Sequence, residues 1–181
     1  MLVTHRAARA VSATAMLAGS VVLVAGVGAG AAVAAPSGLP ELSGLPGPFA
    51  VIAPEADVAH HGHVLLWGAG LKVRVRTENH GPSNLAGVTV RVRTSVALAG
   101  GQELPQGCLQ ADRRTVLCRT GGLRADGAQE RRLALELRLV ARPDEVVVRV
   151  DTLWNGGAAD RNPGNNDHEV LALATGDEYV F

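Results

Sequence analysis

Hydrophobic and polar residues alternate along most of the chain beyond residue 49. An apolar residue at every second position is typical of a β-strand with one buried face. Clusters of Gly, Pro and Asn separate these segments, as turns separate strands. The clearest alternating segments are 73–77, 88–93, 132–139, 146–151 and 168–174. The pattern predicts an all-β domain, a sandwich of about seven to eight short strands.

One pentapeptide, Val-Arg-Val-Arg-Thr, occurs twice, at 73–77 and at 90–94. If the two copies formed a hairpin in phase, Arg74 would lie near Arg91. Like charges that face each other across two strands are destabilising. The repeat therefore favours a connection that crosses from one sheet to the other.

The N-terminal region predicts export. Arg6 and Arg9 precede an apolar run that closes on small residues at 32–34, which is the layout of a secretory signal peptide over residues 1–34. The run approaches ~20 residues, so an uncleaved membrane anchor is the alternative. Residues 35–48 are rich in Pro and Gly and predict a linker, which leaves 49–181 for the domain. We expect a secreted protein with no membrane contact after cleavage.

Charge argues against nucleic acid as a partner. Removing residues 1–34 takes away two arginines and no acidic residue, which leaves 15 basic and 17 acidic residues and a formal charge of −2. A nucleic-acid-binding domain ordinarily carries a basic excess. The remaining 147 residues suit one domain.

Two cysteines, Cys108 and Cys118, lie in the part that is expected to be exported. Disulfides persist in such compartments, and an even count with a short spacing predicts one intramolecular bridge. Closing this loop should stabilise the fold by about 3 kcal/mol. The residues between the cysteines leave room for two short strands and a turn around Asp112–Arg113.

Oxygen-bearing side chains cluster near the C-terminal end of the domain. Carboxylate and amide oxygens of this kind bind calcium, although their spacing differs from that of an EF-hand loop. The candidate ligands are Asp160, Asn162, Asn165 and Asp167, with Asn166 between them. The alternative, which we favour, is a tight turn around Pro163–Gly164 that holds no metal.

Other candidate chemistry is weaker. His60, His61 and His63 are interpreted as a solvated segment ahead of the first strand, with a shared metal as the alternative. Trp67 and Trp154 are predicted to lie in the core. The four serines that follow the signal region do not lie in a Gly-x-Ser-x-Gly motif. We therefore predict no catalytic residue, no cofactor and no enzymatic activity.

Five short motifs recur in a fixed order, from an Asn-x-Gly-Pro-Ser turn to a closing Asp-x-Asn-x-x-Asn-Asn turn. In this order the chain resembles a conserved repeat domain of bacterial surface proteins, the eleventh of the numbered domains of unknown function. The resemblance covers about residues 65–175. The matching positions are Asn79, Gly81, Pro82, Ser83, Ala86, Leu104, Pro105, Gly107, Cys108, Cys118, Gly121, Leu123, Gly127, Asp160, Asn162, Asn165 and Asn166.

The resemblance implies an immunoglobulin-like sandwich without catalytic residues, usually repeated in tandem. This chain departs from it by having one copy and a longer connection at 95–103. The turn residues themselves have a physical role: Gly81 permits a positive φ, Pro82 presets a turn, and Asn79 is expected to cap backbone donors.

These observations predict a secreted, non-catalytic immunoglobulin-like module that acts in surface recognition or as a cell-envelope component. Its expected partner is an unknown protein or a cell-wall component. The alternatives are a calcium- or metal-dependent binding protein and, third, a secreted hydrolase. If the domain binds a partner, we expect recognition to fall on loops at the ends of the sandwich, with the 95–107 connection as the strongest candidate because its small residues indicate a flexible loop. The alternative, which we favour, is a tolerated insertion without a role.

Overall fold

The computed structural model describes residues 52–181, so the predicted signal peptide and linker lie outside the described residues. This part of the chain is almost entirely β. A single 3₁₀ turn, Pro163–Asn166, precedes the last long strand. The strands are β1 (Glu55–Ala56), β2 (Val58–Trp67), β3 (Gly70–Asn79), β4 (Thr89–Thr94), β5 (Cys108–Asp112), β6 (Thr115–Arg119), β7 (Arg131–Arg138), β8 (Glu145–Trp154), β9 (Ala159–Asp160), β10 (Asp167–Leu173) and β11 (Glu178–Val180).

Nine strands form two antiparallel sheets. One sheet has the order β11-β2-β3-β7, and the other has the order β10-β8-β4-β6-β5. The short strands β1 and β9 pair in parallel beside them. Buried side chains from both sheets form one hydrophobic core. This arrangement is consistent with a β-sandwich. No helix within residues 52–181 is long and apolar enough to cross a membrane.

The alternation in the sequence explains which side chains form the core. In β3, Leu71, Val73 and Val75 are buried while the residues between them face outward. Val146 and Val148 of β8 are buried in the same way. Successive side chains of a strand point to opposite faces of its sheet, so each valine row enters the core. All five alternating segments are strands, and their prediction is confirmed.

The two copies of the repeated pentapeptide lie in different sheets. The first copy lies in β3 and the second in β4, so the connection between them crosses the sandwich as predicted. Arg74 therefore lies opposite Ala134 of β7, and Arg91 lies opposite Asp151 of β8. Separation of the copies removes the repulsion that a direct hairpin would have imposed.

The histidine segment was predicted to be solvated and to precede the first strand, and this prediction is wrong for His60, whereas His61 is exposed. His60 lies within β2 and is fully buried. Its Nδ1 lies 3.0 Å from Oγ1 of Thr77, and its Nε2 lies 2.9 Å from Oγ1 of Thr152. Burial, with a further contribution from the charge of His168, lowers the pKa of His60 to about 4. The imidazole is thus a neutral core group that joins the two sheets.

Candidate recognition groove

Cys108 and Cys118 lie directly opposite each other on β5 and β6 and form the predicted disulfide. The sulfur of Cys118 belongs to the core side of its strand, where the residue is buried. The turn between the two strands contains Arg113 and Arg114, close to its predicted place. The bridge therefore fixes a hairpin at one edge of the five-stranded sheet.

The Asn-x-Gly-Pro-Ser motif ties the start of the domain to the end of β3. The carboxamide Oδ1 of Asn79 accepts hydrogen bonds of 3.2 Å from the backbone N–H groups of Asp57 and Gly81. Its Nδ2 donates to the carbonyl of Ser83 at 2.7 Å, and the Ser83 hydroxyl accepts from the N–H of Glu55 at 3.2 Å. Because Asn79 is fully buried, these bonds satisfy every polar atom of its side chain. The motif specifies the fold and presents no open ligand site.

Gly81 is required for a different reason from the one predicted. It is not among the glycines with a positive φ. A Cβ at this position would lie 2.6 Å from the backbone of Ala56, which is too close for any side chain. The neighbouring Pro82 is exposed. The glycine therefore permits two backbone segments to pass each other closely.

Asp160 is held by three donors of the polypeptide. Its Oδ1 accepts from the N–H of Asn162 at 3.0 Å, which closes a local turn. Its Oδ2 accepts from the N–H of Val58 at 3.2 Å and from Nδ2 of Asn166 at 2.9 Å. The carboxylate thus connects the C-terminal turn to the start of β2.

Two of the other three candidate calcium ligands, Asn165 and Asp167, point elsewhere. Asn165 donates through Nδ2 to Oδ1 of Asp57 at 2.8 Å. Asp167 forms a bidentate ion pair with Arg149 at 2.8 and 2.5 Å, and these bonds lower the pKa of the Asp167 carboxyl. Within residues 52–181, no group of three or more His, Cys, Asp or Glu side chains is arranged to hold a metal ion.

The two tryptophans were predicted to lie in the core, and this prediction is wrong. Trp67 is 69% exposed and Trp154 is 51% exposed. Trp67 ends β2 on the outer face of the four-stranded sheet, since its neighbour Leu66 is buried in the core. Trp154 ends β8, whose Thr152 reaches His60 near the start of β2. The two indoles consequently lie at opposite ends of the sandwich.

The ring of Trp67 is supported from one side by Gly176, in the turn that follows β10. Gly176 has a φ of 81°, and its N–H donates to the carbonyl of Leu66 at 3.1 Å. A Cβ at Gly176 would lie 2.9 Å from Cε3 of the indole. The exposed ring therefore rests against a backbone that leaves no room for a side chain, which fixes the orientation of the indole.

Trp67 forms one wall of a groove of about 570 Å³ that crosses three strands of the four-stranded sheet. On the outer face, Trp67 lies opposite Gly70, which in turn lies opposite Arg138. Because Gly70 has no side chain, the space between the indole and the guanidinium is open. Lys72 and Glu136 lie opposite each other in the next row. We call this space the Trp67 groove. It is lined by Trp67, Gly70, Lys72, Glu103, Glu136 and Arg138, together with Leu65, Leu71 and Leu137.

The 95–107 connection was predicted to be flexible, but it is fastened to both sheets. Leu98 is buried, and its N–H donates to the carbonyl of Arg113 at 2.6 Å. The side chain of Gln102 binds the backbone of Arg138 as a neighbouring strand would. Its Nε2 donates to the carbonyl of Arg138 at 2.8 Å, and its Oε1 accepts from the N–H of Arg138 at 2.9 Å. The connection thus covers the end of β7, and it presents Glu103 to the Trp67 groove.

Charged groups of both signs surround the indole. Nζ of Lys72 lies 4.0 Å from Glu136, which also accepts a hydrogen bond of 2.9 Å from Arg74. Arg138 donates through Nη2 to a carbonyl of the connection at 3.2 Å. Glu103 supplies a second carboxylate. The groove therefore combines an aromatic surface and leucine side chains with donors and acceptors of both kinds, which suits a ligand that has apolar and polar surfaces.

The chain has no detectable match among models of protein families, curated proteins or solved structures.

Proposed function

We propose that the protein is an exported, non-catalytic immunoglobulin-like module that acts by recognition at the cell surface or in the cell envelope. The observation that carries this proposal is the Trp67 groove. A large aromatic side chain on the surface of a soluble domain, held in one orientation, is a common anchor of a binding site. For recognition of a partner, sequence alone had suggested the connection that adjoins this groove.

The order of the strands supports the immunoglobulin-like assignment. In such folds the first, second, fourth and fifth strands form one sheet, while the third, sixth and seventh form the other. Here β2, β3 and β7 are neighbours in one sheet, and β4, β8 and β10 are neighbours in the other. The disulfide differs, because it joins two strands of one sheet instead of joining the two sheets.

Export is supported by the layout of residues 1–34 and by the disulfide. The N-terminal sequence has the order of charge, apolar run and small residues of a signal peptide. Disulfides form and persist outside the reducing cytosol. These two features are independent of each other and favour the same compartment.

The absence of catalysis is supported by the surroundings of the serines. Of residues 52–181, Ser83 and Ser95 are the serines, and each hydroxyl accepts a hydrogen bond from a backbone N–H. His60 is buried between threonines and lies in the core. We therefore assign recognition, and no reaction, to this domain.

The test is binding to the cell-envelope fraction of the cells that produce the protein. We expect the exported protein to sediment with this fraction and Trp67→Ala to remove most of the binding. Trp154→Ala is the matched control, since it removes an exposed indole from the other end of the sandwich. Equal sedimentation of both variants, with unchanged thermal unfolding, would refute the groove as the recognition site. No sedimentation of the unaltered protein would refute the proposed role at the envelope.

A further inference from the structure

We infer that the Trp67 groove binds an uncharged saccharide chain. This inference deepens the proposed function and rests on it, because it names the class of ligand for the same groove. It follows from three features: the surface of the indole, the balance of charge around it, and the space over Gly70.

The indole offers a flat apolar surface with a polar edge. Gly176 supports the ring and is not among the residues that line the groove, so the ring presents another surface to the groove. The face of an aromatic ring carries partial negative charge, which attracts the weakly positive C–H groups of a sugar ring that lies flat on it. A fixed ring loses little conformational entropy on binding, so this contact is favourable even on an open surface.

The mixed charges around the indole favour an uncharged ligand over a polycation or a polyanion. Lys72 and Arg138 would repel a polycation, while Glu103 and Glu136 would repel a polyanion. Lys72 and Arg138 already have protein partners, in Glu136 and in a carbonyl of the connection, so a ligand uses only the donors and acceptors that these contacts leave open. A hydroxyl group both donates to carboxylates and accepts from ammonium and guanidinium groups, so a neutral sugar pairs with groups of either sign.

The space over Gly70 fits a ligand of this size. The groove of about 570 Å³ lies within the range of small-molecule sites, roughly 300–1,000 Å³. Its open centre exists only because the residue between Trp67 and Arg138 is a glycine. A Cβ at Gly70 would lie 3.3 Å from the carbonyl oxygen of Trp67, a tight contact that requires a small shift of that backbone, and a larger side chain would extend into the groove.

The experiment is a calorimetric titration of the exported protein with defined hexasaccharides. Cellohexaose and hexa-N-acetylchitohexaose are the neutral probes, hexagalacturonate is the anionic one, and the glucosamine hexamer is the cationic one. We expect at least one neutral probe to bind and to change the tryptophan fluorescence, with weaker binding of both charged probes. Trp67→Ala should weaken the affinity for the neutral probe by about tenfold or more. Trp67→Phe, which keeps an aromatic ring, should weaken this affinity less.

Two further variants complete the test. Gly70→Val keeps the indole but fills the groove, so it should also weaken binding of the neutral probe. Its close contact with the carbonyl of Trp67 should lower the melting temperature slightly, while thermal unfolding stays cooperative and shows that the variant is folded. Trp154→Ala should bind as the unaltered protein does. The inference is overturned if neither neutral probe binds at millimolar concentration, if a charged probe binds more tightly than both, or if Trp67→Ala leaves binding unchanged.

This outcome is distinguishable from failure of the proposed function. If Trp67→Ala abolishes sedimentation with the envelope fraction while neither neutral probe binds, the ligand is of another class and recognition through the groove stands. If neither the envelope fraction nor any probe binds, both proposals fail.

Discussion

His60 of β2 and Thr152 of β8 are joined by a hydrogen bond of 2.9 Å that links the two sheets inside the core. Thr77 of β3 holds the other ring nitrogen at 3.0 Å. The bonds to two hydroxyls satisfy both ring nitrogens while the ring is neutral, since a hydroxyl both donates and accepts. Protonation would place a charge in the core near His168, whose own charge opposes it.

This relationship predicts that the protein loses stability in mild acid. The pKa of His60 is about 4 in the folded protein and about 6.5 in the unfolded chain, so the unfolded chain binds the proton more readily. The contribution of neutral His60 to the free energy of unfolding is therefore fully present above pH 6.5. It is lost as the pH falls towards 4, and the total loss is about 3 kcal/mol. Urea unfolding at a series of pH values measures it. His60→Gln should flatten the profile in this window, while His80→Gln, at an exposed position, should keep it.

Removal of the disulfide is also expected to lower the stability of the fold. Replacing both Cys108 and Cys118 by alanine should lower the free energy of unfolding by about 3 kcal/mol, because the unfolded chain regains the freedom of the open loop. Chemical unfolding of the double variant, compared with the oxidised protein, gives the value. Mass spectrometry after alkylation is the direct check: free thiols in the exported protein would disprove the bridge.

Asn79 is expected to be the most sensitive residue of the turn motif. Asn79→Ala removes one donor and two accepted hydrogen bonds and leaves buried backbone groups without a partner, so we expect a loss of about 2–3 kcal/mol. Asn84→Ala is the matched control, because its side chain accepts one exposed hydrogen bond from Ala125. Thermal unfolding of the two variants should separate them clearly. Similar losses would contradict the structural role that we assign to Asn79.

For the Asp160 loop we expect stability without a response specific to calcium. The two carboxylate oxygens of Asp160 already accept three hydrogen bonds. Asp160→Asn should therefore lower the melting temperature in the absence of any metal, because an amide offers a weaker acceptor to these donors. Calcium should raise the melting temperature no more than an equal ionic strength of sodium chloride. A rise with calcium alone that Asp160→Asn abolishes would show that the loop binds the ion.

The sequence by itself determined the features that depend on local pattern. The faces of β3, β4, β7, β8 and β10 follow from an alternation that every strand must obey, whatever its neighbours. The disulfide followed from spacing and compartment, and the separation of the two Val-Arg-Val-Arg-Thr copies followed from charge repulsion between strands.

Tertiary structure alone decided the features that depend on partners distant in sequence. His60 can lie in the core because the hydroxyls of Thr77 and Thr152 form hydrogen bonds with its two ring nitrogens. Both threonines are distant from His60 in the sequence, so no local pattern predicts these contacts. Gly81 must be a glycine because the backbone of Ala56 passes close to it. The sequence had suggested a different reason, a positive φ, which Gly81 does not adopt.

The Trp67 groove is the strongest case of this kind. Hydrophobicity placed Trp67 in the core, but the register of β2 places its side chain on the outer face, where Gly176 supports it. The groove needs Gly70 and Arg138 from two further strands and Glu103 from the connection. A residue's own chemistry predicts how strongly it avoids water, whereas only the pairing of strands determines which face of the sheet receives it.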